Sequence, residues 1–316
     1  DDARVLDSTS ALELQEIPSS LLIVGGGYIG LELGTIYAAL GTAVTVVELT
    51  KGLLPGADAD LVRVLERRVG RLAEAVHLET EVAGLAATTE GIDVSLQDLN
   101  GGVRTERFHK VLIAVGRQPN SDRVGLENTA VSRDDDGFIV VDAQRRTAES
   151  SIFAIGDVSG EPMLAHKGFA EARVAVEAIA GHSSAFAPRA IPAVVFTDPE
   201  VAWCGLTEEK STAIGRKVDV AKFPWGASGR ALTLNRPDGF TKLVIDPETN
   251  QILGVGIVGV GAGELIAEGV VAVEMEMTVS DLKMSIHPHP TVSETFGEAA
   301  GLFFGECTHV YKPNKS

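Results

Sequence analysis

The longest apolar stretch of the chain runs from Leu21 to Val47, and Glu32 is its only charged residue. Its order is an apolar run, a glycine cluster, apolar residues at helical spacing and a second run rich in β-branched residues. This order predicts a buried strand, a tight turn, a helix and another strand. The stretch is long enough to cross a bilayer. Because glycines interrupt it in this pattern, we expect two buried parallel strands around a helix, and no membrane span.

The glycine cluster fits a dinucleotide-binding fingerprint. Gly25, Gly27 and Gly30 are spaced G-x-G-x-x-G, and Glu48 ends the second strand. In such a turn the glycines allow a sharp bend, backbone approach to a pyrophosphate and close helix–strand packing, while the helix N-terminus attracts phosphate. The acid can bind a ribose 2′-hydroxyl and would repel a 2′-phosphate, which favours NAD over NADP. The alternative is a packing turn with a merely solvated Glu48.

The pattern after Glu48 predicts the remainder of this domain. The segment 59–72 has the periodicity of an amphipathic helix. Short alternating runs between 77 and 110 predict a β-meander, and KVLIAVG predicts a strand that completes the nucleotide-binding sheet. Four arginines of the helix are interpreted as a solvated face, with contact to a cofactor phosphate as the alternative; they are Arg63, Arg67, Arg68 and Arg71.

A second strand–turn–helix pattern begins at IFAIGD. The apolar run predicts a short strand that ends at Gly156 and Asp157, and a helix is predicted from Met163 onwards. The glycine allows close backbone approach to a ligand. The aspartate can accept a hydrogen bond from a sugar-like hydroxyl, or it can be an ordinary cap or turn residue.

Another G-x-G-x-x-G sequence, at Gly254, Gly256 and Gly259, is rejected as a nucleotide site. Small residues alternate there with Val and Ile straight through the glycines, which predicts a hairpin strand. No second strand ending in an acid follows it. A linker is expected over residues 181–192, and the strands and two helices beyond it predict an α+β domain.

Composition limits the classes of function. The net charge of −17 argues against nucleic acid as a partner. Cys204 and Cys307 lie far apart and form neither a disulfide framework nor a CxxC pair, so two free thiols in a reducing cytoplasm are expected.

The segment SIHPHPTVSE, Ser285–Glu294, carries the candidate chemistry. Two of the 7 histidines of the chain, His287 and His289, are each followed by proline, and Glu294 lies five residues after the second. Thr291-x-x-Glu294 also has the spacing of a helix capping box. No third ligand stands nearby, so no metal site is expected.

Taken together, these motifs resemble the flavoprotein pyridine-nucleotide disulfide oxidoreductases, and within that family the branch of dihydrolipoamide dehydrogenases. The resemblance covers nearly the whole chain. Single motifs would also fit reductases of the glutathione or mercuric type, but FPWGASGRAL and MLAHKG favour the lipoamide branch. The motifs are DSTSALELQEIP, GGGYIGLELG, VLIAVGRQPN, IFAIGDVSGEPMLAHKG, PAVVFTDPEVAWCGLTEE, FPWGASGRAL and IHPHPTVSE.

The resemblance implies an α/β architecture of three parts: a Rossmann-like NAD-binding domain at 1–115, the return segment of an FAD-binding domain at 116–187, and an α+β dimerisation domain at 188–316. It also implies that His289 is the acid–base residue, that Glu294 orients it and that His287 is structural. The implied cofactor-binding residues are Gly25, Gly27, Gly30, Glu32 and Glu48 for NAD, Gly116 where the strand VLIAVG ends, and Gly156, Asp157, Met163, Leu164, Ala165 and His166 for FAD.

The family chemistry passes electrons from dihydrolipoamide to an enzyme disulfide, to FAD and then to NAD+. The implied partners are a second copy of the chain and the lipoyl domain of a 2-oxo acid dehydrogenase complex, in the cytoplasm. The family's first FAD-binding segment, with its C-x4-C disulfide, is not in this sequence. We therefore expect an incomplete FAD site and an inactive isolated chain. The alternatives are a non-catalytic NAD-binding and dimerisation module, and a direct NAD-dependent dehydrogenase that uses His289.

Overall fold

The computed structural model of the chain describes residues 2–310. Its contacts form two compact units, Asp1–Gly116 with Pro192–Ser316 and, separately, Arg117–Ile191. The strands are β1 Val5–Leu6, β2 Ser20–Val24, β3 Ala43–Val47, β4 Ala75–His77, β5 Thr80–Ala87, β6 Ile92–Asp98, β7 Val103–Phe108, β8 Lys110–Ile113, β9 Ala193–Val195, β10 Glu200–Gly205, β11 Asp219–Pro224, β12 Phe240–Ile245 and β13 Ile252–Gly259. The α-helices are α1 Ser8–Leu12, α2 Tyr28–Ala39, α3 Ala59–Leu72, α4 Ala165–Ile179, α5 Glu208–Ala213, α6 Gly229–Thr233, α7 Ala262–Glu274, α8 Val279–Met284 and α9 Glu294–Phe304.

The apolar run at the start of the chain forms a parallel sheet with strand order β1-β8-β2-β3-β4. Its central strand β2 pairs with β3 on one side and β8 on the other, and Leu21, Leu22 and Ile23 are fully buried. A strand buried on both faces reads as a continuous hydrophobic run. The predicted strand, helix and strand are therefore confirmed, and so is the joining of KVLI to the same sheet.

The predicted meander is a three-stranded antiparallel sheet, β5-β6-β7. On β6 the buried residues Ile92, Val94 and Leu96 alternate with half-buried ones. This alternation places one face of the strand in a small core with Leu22 and Val111 of the parallel sheet.

The C-terminal part of the first unit is an antiparallel sheet of order β11-β12-β13-β10-β9, with α5 to α9 in the same segment of chain. The sequence predicted only two of these helices. The rejected glycine sequence lies in β13, as expected, and its glycines make room for close packing. A Cβ at Gly256 would lie 2.9 Å from Leu61 of α3, and one at Gly259 would lie 2.1 Å from the ring of Trp225.

Helix α3 joins the two larger sheets of this unit. Leu61, Leu65 and Val69 are buried in a core that also contains Val44 of β3 and Val258 of β13. The helix begins and ends where its amphipathic pattern predicts.

The second unit, Arg117–Ile191, contains the predicted helix α4 but not the strand predicted at IFAIGD. Phe153 makes a single β-bridge, to Arg146, and Gly156–Ser159 form a 3₁₀ turn. A strand requires a neighbour with a continuous hydrogen-bond ladder, and residues 117–191 provide one bridge here. The prediction was therefore wrong for this chain.

Within residues 2–310, no helix combines the length and the apolar character that a bilayer crossing requires.

Candidate functional site

The first glycine turn lies between β2 and α2, where backbone atoms come very close together. Gly25 has φ +108°, and a Cβ there would lie 2.3 Å from the carbonyl oxygen of Ala114, at the end of β8. A Cβ at Gly30 would lie 2.2 Å from the carbonyl oxygen of Gly25. Both positions therefore require glycine for the fold itself.

Gly27 differs from its two neighbours in the fingerprint. Within residues 2–310, and apart from its own chain neighbours, no atom lies within 4 Å of the position that a Cβ would occupy there. Gly27 is the N-cap of α2, and a glycine has no side chain with which to cap the N–H groups of the first turn. Gly27 thus leaves room for a phosphate group rather than for packing, and the turn fits the pyrophosphate of a dinucleotide.

The carboxylate of Glu48 holds the two loops beside this turn. Glu48 Oε2 accepts the Gly26 N–H at 2.7 Å, and Oε1 accepts the Thr50 N–H at 2.7 Å. Burial raises the pKa of Glu48, but these hydrogen bonds outweigh it and lower the pKa below its usual value. The interpretation of a merely solvated side chain is therefore wrong. An ionised carboxylate at the end of β3, beside the glycine turn, is the kind of acceptor that binds a ribose hydroxyl, so the residue fits an adenosine ribose.

Glu32 lies on α2 and contacts a segment that sequence reasoning did not associate with it. Its Oε1 accepts the backbone N–H of Phe196 at 2.8 Å. Burial raises the pKa of Glu32, and the Phe196 hydrogen bond opposes the change only partly.

His289 and Glu294 form a hydrogen-bonded pair. His289 Nδ1 lies 2.8 Å from Glu294 Oε1, and the histidine side chain is 80% exposed. The other ring nitrogen, Nε2, has no hydrogen-bond partner within residues 2–310. The ring is therefore oriented by a carboxylate on one side and open to a reactant on the other.

Glu294 is also tied to the loop that carries the histidine. Its Oε2 accepts the Thr291 N–H at 2.8 Å, as in half of a capping box, while the Thr291 hydroxyl donates to the Pro288 carbonyl instead of capping α9. The capping box predicted at Thr291 is not formed, because the N-cap of α9 is Ser293 and has no side-chain cap bond, whereas the contact between Glu294 and His289 is present. Burial raises its pKa, but the His289 and Thr291 hydrogen bonds outweigh burial and lower it. The His289–Pro290 peptide bond is cis.

His287 is mostly buried behind this loop. Its Nε2 lies 2.7 Å from Glu268 Oε1 on α7, and its side chain is 11% exposed. The Glu268 hydrogen bond raises the pKa of His287 although burial opposes the change. This contact fits a structural role that fastens the loop to α7.

The second unit places Gly156 and Asp157 beside the helix predicted to follow them. The Gly156 N–H donates to Glu171 Oε2 at 2.6 Å, and its carbonyl accepts from Lys167 Nζ at 3.0 Å. Asp157 does not cap a helix; its Oδ2 lies 3.2 Å from Arg117 Nη1 at an exposed position. The other predicted residues lie near the start of α4: Met163 is buried, Leu164 is the N-cap, and Ala165 and His166 are in the first turn.

Gly116 has φ +145°, and in the described part of the chain no atom other than those of its chain neighbours lies within 4 Å of its Cβ position. Like Gly27, it leaves space open beside the end of β8.

Neither cysteine resembles a redox thiol. Cys204 is buried in β10, and burial raises its pKa to about 12. Burial, followed by the hydrogen bond to Glu298, also raises the pKa of Cys307. Both therefore stay protonated and weakly nucleophilic near neutral pH.

Sequence reasoning missed three buried polar groups. Lys242, in the apolar strand FTKLVI, is fully buried among Asp58, Asp60 and Glu208. Those three carboxylates have metal-ligand spacing, but the ammonium of Lys242 lies among them. In the second group, Trp225 Nε1 donates a hydrogen bond to the Thr241 hydroxyl, which is hydrogen-bonded to the hydroxyl of Thr295 in α9. The third group is Lys167 with Glu171 and Arg145; only its K-x-x-x-E spacing could have been seen in advance.

Two family models match the chain. Residues 1–172 match "Pyridine nucleotide-disulphide oxidoreductase", and residues 191–300 match the dimerisation domain of the same name.

Curated relatives agree with these matches. The chain is 46% identical over 315 residues to the dihydrolipoyl dehydrogenase of Vibrio parahaemolyticus, with 100% of the chain and 66% of that protein covered. It is 45% identical over 309 residues to that of Halobacterium salinarum, with 98% and 65% covered. The chain thus spans about two thirds of the length of these relatives.

Solved structures show the same likeness. LpdA from Mycobacterium tuberculosis superposes with a TM-score of 0.88 at 29% identity, covering 96% of this chain and 66% of LpdA. The HOCl-induced flavoprotein disulfide reductase RclA from Escherichia coli superposes with a TM-score of 0.86 at 28% identity, covering 94% and 68%.

Proposed function

The chain belongs to the pyridine nucleotide-disulphide oxidoreductase family, whose members use FAD and NAD, and from this we propose that the protein carrying it is a dihydrolipoyl dehydrogenase. In this proposal it oxidises protein-bound dihydrolipoamide with NAD+, through an enzyme disulfide and FAD. The observation that carries the proposal is the exposed His289 ring, with Nδ1 held 2.8 Å from Glu294 and Nε2 open. The curated relatives at 45–46% identity support the choice of dihydrolipoamide as substrate.

In the proposed reaction, His289 is the acid–base residue. Its Nε2 takes a proton from a dithiol sulfur and leaves a thiolate, which is the nucleophilic form of sulfur. Glu294 fixes the tautomer by accepting a hydrogen bond from the His289 Nδ1–H, and its negative charge stabilises the imidazolium that forms. The Thr291 N–H holds the second oxygen of Glu294, so the carboxylate cannot rotate away. When bound, FAD supplies the electron relay between the disulfide and NAD+.

The proposed NAD site is the turn between β2 and α2. Gly25 and Gly30 shape the backbone, Gly27 leaves room for the pyrophosphate, and Glu48 accepts ribose hydroxyls. The charge on Glu48 repels a 2′-phosphate, so NAD is preferred over NADP. Glu32 is proposed to lie toward the nicotinamide end, and Gly116 to border the site from the end of β8.

The residues proposed to meet FAD are those around the start of α4. Asp157 offers a carboxylate to a hydroxyl of the ribityl chain, and Gly156 allows backbone approach. The flavin is proposed to lie along Met163, Leu164, Ala165 and His166. The domains follow as 1–115 for NAD, 116–187 for the returning part of the FAD domain and 188–316 for dimerisation.

The match of residues 191–300 to a dimerisation domain supports a homodimer, in which His289 of one copy serves the disulfide of the other. The further partner is the lipoyl domain of a 2-oxo acid dehydrogenase complex, and the proposed location is the cytoplasm.

His289→Gln in the full-length protein tests the proposal. Loss of a general base reduces turnover by roughly 10²–10⁴-fold, so kcat for dihydrolipoamide oxidation should fall by at least about 100-fold. NADH affinity and NADH-driven reduction of an artificial acceptor should not change, because neither needs a dithiol base. His182→Gln, at an exposed histidine, is the matched control. Unchanged dihydrolipoamide turnover in His289→Gln would refute the role of His289, and turnover of another disulfide but not of lipoamide would refute the substrate.

A further inference from the structure

Three arginines form an exposed row on α3. Arg63, Arg67 and Arg71 are spaced four residues apart, so they share one face of the helix. None of the three has a hydrogen-bond or ion-pair partner within residues 2–310. Like charges at this spacing destabilise a helix, and the row stands out in a chain of net charge −17. An anion bound along the row would relieve the repulsion.

The row forms one wall of a cleft of about 750 Å³. The opposite wall is the 235–239 turn that leads into β12, and it contributes Arg236. Asp198 connects the walls: Oδ2 lies 3.1 Å from Arg68 Nη2 on the helix, and Oδ1 pairs with Arg236. Arg236 also pairs with Asp238 at 3.4 Å, so this link is close to neutral and the excess positive charge of the cleft comes from the three unpaired arginines.

The cleft is backed by fixed structure. Asp60, at the start of the same helix, is held by Lys222 and by the buried Lys242, and Val64, between Arg63 and Arg67, packs against the core. The helix therefore cannot shift without breaking buried contacts. The arginine side chains project from a rigid support, which reduces the entropy lost when a ligand binds.

We propose that this arginine cleft binds a small polyanion of the oligophosphate class, such as tripolyphosphate or a nucleoside triphosphate. A guanidinium group can donate two parallel hydrogen bonds to the oxygens of one phosphate. Three unpaired guanidinium groups in a row therefore suit a chain of phosphates better than a single phosphate. The volume lies in the range of small-molecule sites. None of the lining residues belongs to the glycine turn or to Glu48, so the cleft is separate from the proposed NAD site.

Titration calorimetry of the full-length protein with tripolyphosphate at low ionic strength tests the proposal, because added salt screens exposed charges. The parent protein should bind one tripolyphosphate per chain, more tightly than sulfate, with excess NADH present or absent. Arg67→Gln/Arg71→Gln should weaken binding at least about tenfold, and Arg63→Gln/Arg67→Gln should do the same. Glutamine keeps a high helix propensity, and the substituted positions lie outside the buried face of α3.

Arg123→Gln is the control for loss of an arginine outside the cleft, because Arg123 is 91% exposed and lies in the other unit. It should change the affinity less than twofold. Four results would overturn the proposal: no binding by the parent, binding no tighter than that of sulfate, equal weakening by Arg123→Gln, or displacement of tripolyphosphate by NADH.

Discussion

Lys242 Nζ lies 2.6 Å from Asp58 Oδ2, and both side chains are buried. Lys242 comes from β12 and Asp58 is the N-cap of α3, so the contact joins α3 to the antiparallel sheet. Burial lowers the pKa of Lys242, but its hydrogen bonds to Asp58, Asp60 and Glu208 outweigh burial and raise it. The ammonium therefore stays charged at neutral pH, and the carboxylates around it depend on its charge.

Lys242→Met should strongly destabilise the protein. Removing one partner of a buried ion pair costs about 3–5 kcal/mol, because the remaining charges stay buried without compensation. Urea unfolding monitored by circular dichroism measures the change. Lys283→Met is the control, because Lys283 pairs with Glu306 at the surface and exposed pairs contribute about 0–1 kcal/mol. A loss below about 1 kcal/mol for Lys242→Met would mean that the cluster does not fasten the helix to the sheet.

Gly27→Ala and Gly30→Ala should separate binding from folding. At Gly27 the new methyl group meets no atom of residues 2–310 beyond its chain neighbours, and the backbone is in an ordinary extended conformation. Because alanine is a poorer N-cap than glycine, the free energy of unfolding should fall, but by no more than about 1 kcal/mol. NADH affinity should fall at least about tenfold, because the methyl occupies the space proposed for the pyrophosphate. At Gly30 the methyl would clash with the Gly25 carbonyl, so stability itself should fall. Unfolding curves and NADH titrations of both variants provide the check; wild-type NADH affinity in Gly27→Ala would contradict the proposed site.

Glu48→Gln should relax the preference for NAD. The substitution removes the charge that repels a 2′-phosphate, and like-charge juxtapositions cost several kcal/mol. The ratio of kcat/KM for NAD+ over NADP+ should therefore fall at least roughly tenfold. Glu74→Gln removes a charge from an exposed position of the same domain and should leave the ratio unchanged. If the ratio in Glu48→Gln equals that of the parent protein, the carboxylate does not set cofactor choice.

The His287–Glu268 pair should make stability depend on pH in a definite direction. The folded pKa of His287 is raised by Glu268 above the usual value of about 6.5. A raised histidine pKa stabilises the protein fully below the unfolded pKa, and the stabilisation is lost as pH rises through the folded pKa. The difference in unfolding free energy between the parent and His287→Gln should therefore be larger at pH 6 than at pH 9.

Urea unfolding of both proteins at the two pH values measures this difference. Glu268→Gln should show the same pH-dependent loss of stability relative to the parent, because this substitution removes the partner that raises the pKa of His287. A gap for His287→Gln that stays constant or widens toward pH 9 would contradict the assigned ion pair.

The local elements of the fold were predictable because their signals are short in sequence. The turn between β2 and α2, helix α3 and the rejected glycines of β13 each follow from the spacing of apolar and small residues over fewer than about 20 positions. Strand β1, Val5–Leu6, was not predicted, because two residues carry no periodicity; it exists because β8 provides its ladder. The strand predicted at IFAIGD failed for the converse reason, since its pattern is present without a neighbouring ladder.

For the candidate site too, some features were predictable from the sequence and others only from the folded structure. The sequence by itself determined which residues could act: a fingerprint of three glycines, an acid at the end of a strand, and a histidine five residues before a glutamate. Only the tertiary structure decided that Glu294 contacts His289 with one carboxylate oxygen and Thr291 with the other. It also decided that three carboxylates compensate the charge of Lys242 and that the arginines of α3 face a cleft. The Lys242–Asp58 contact and the cleft depend on segments more than a hundred residues apart, and no local pattern records which distant group will lie within hydrogen-bonding distance. The partners of Glu294 are three and five residues away, but which oxygen binds which partner depends on the folded shape of the loop.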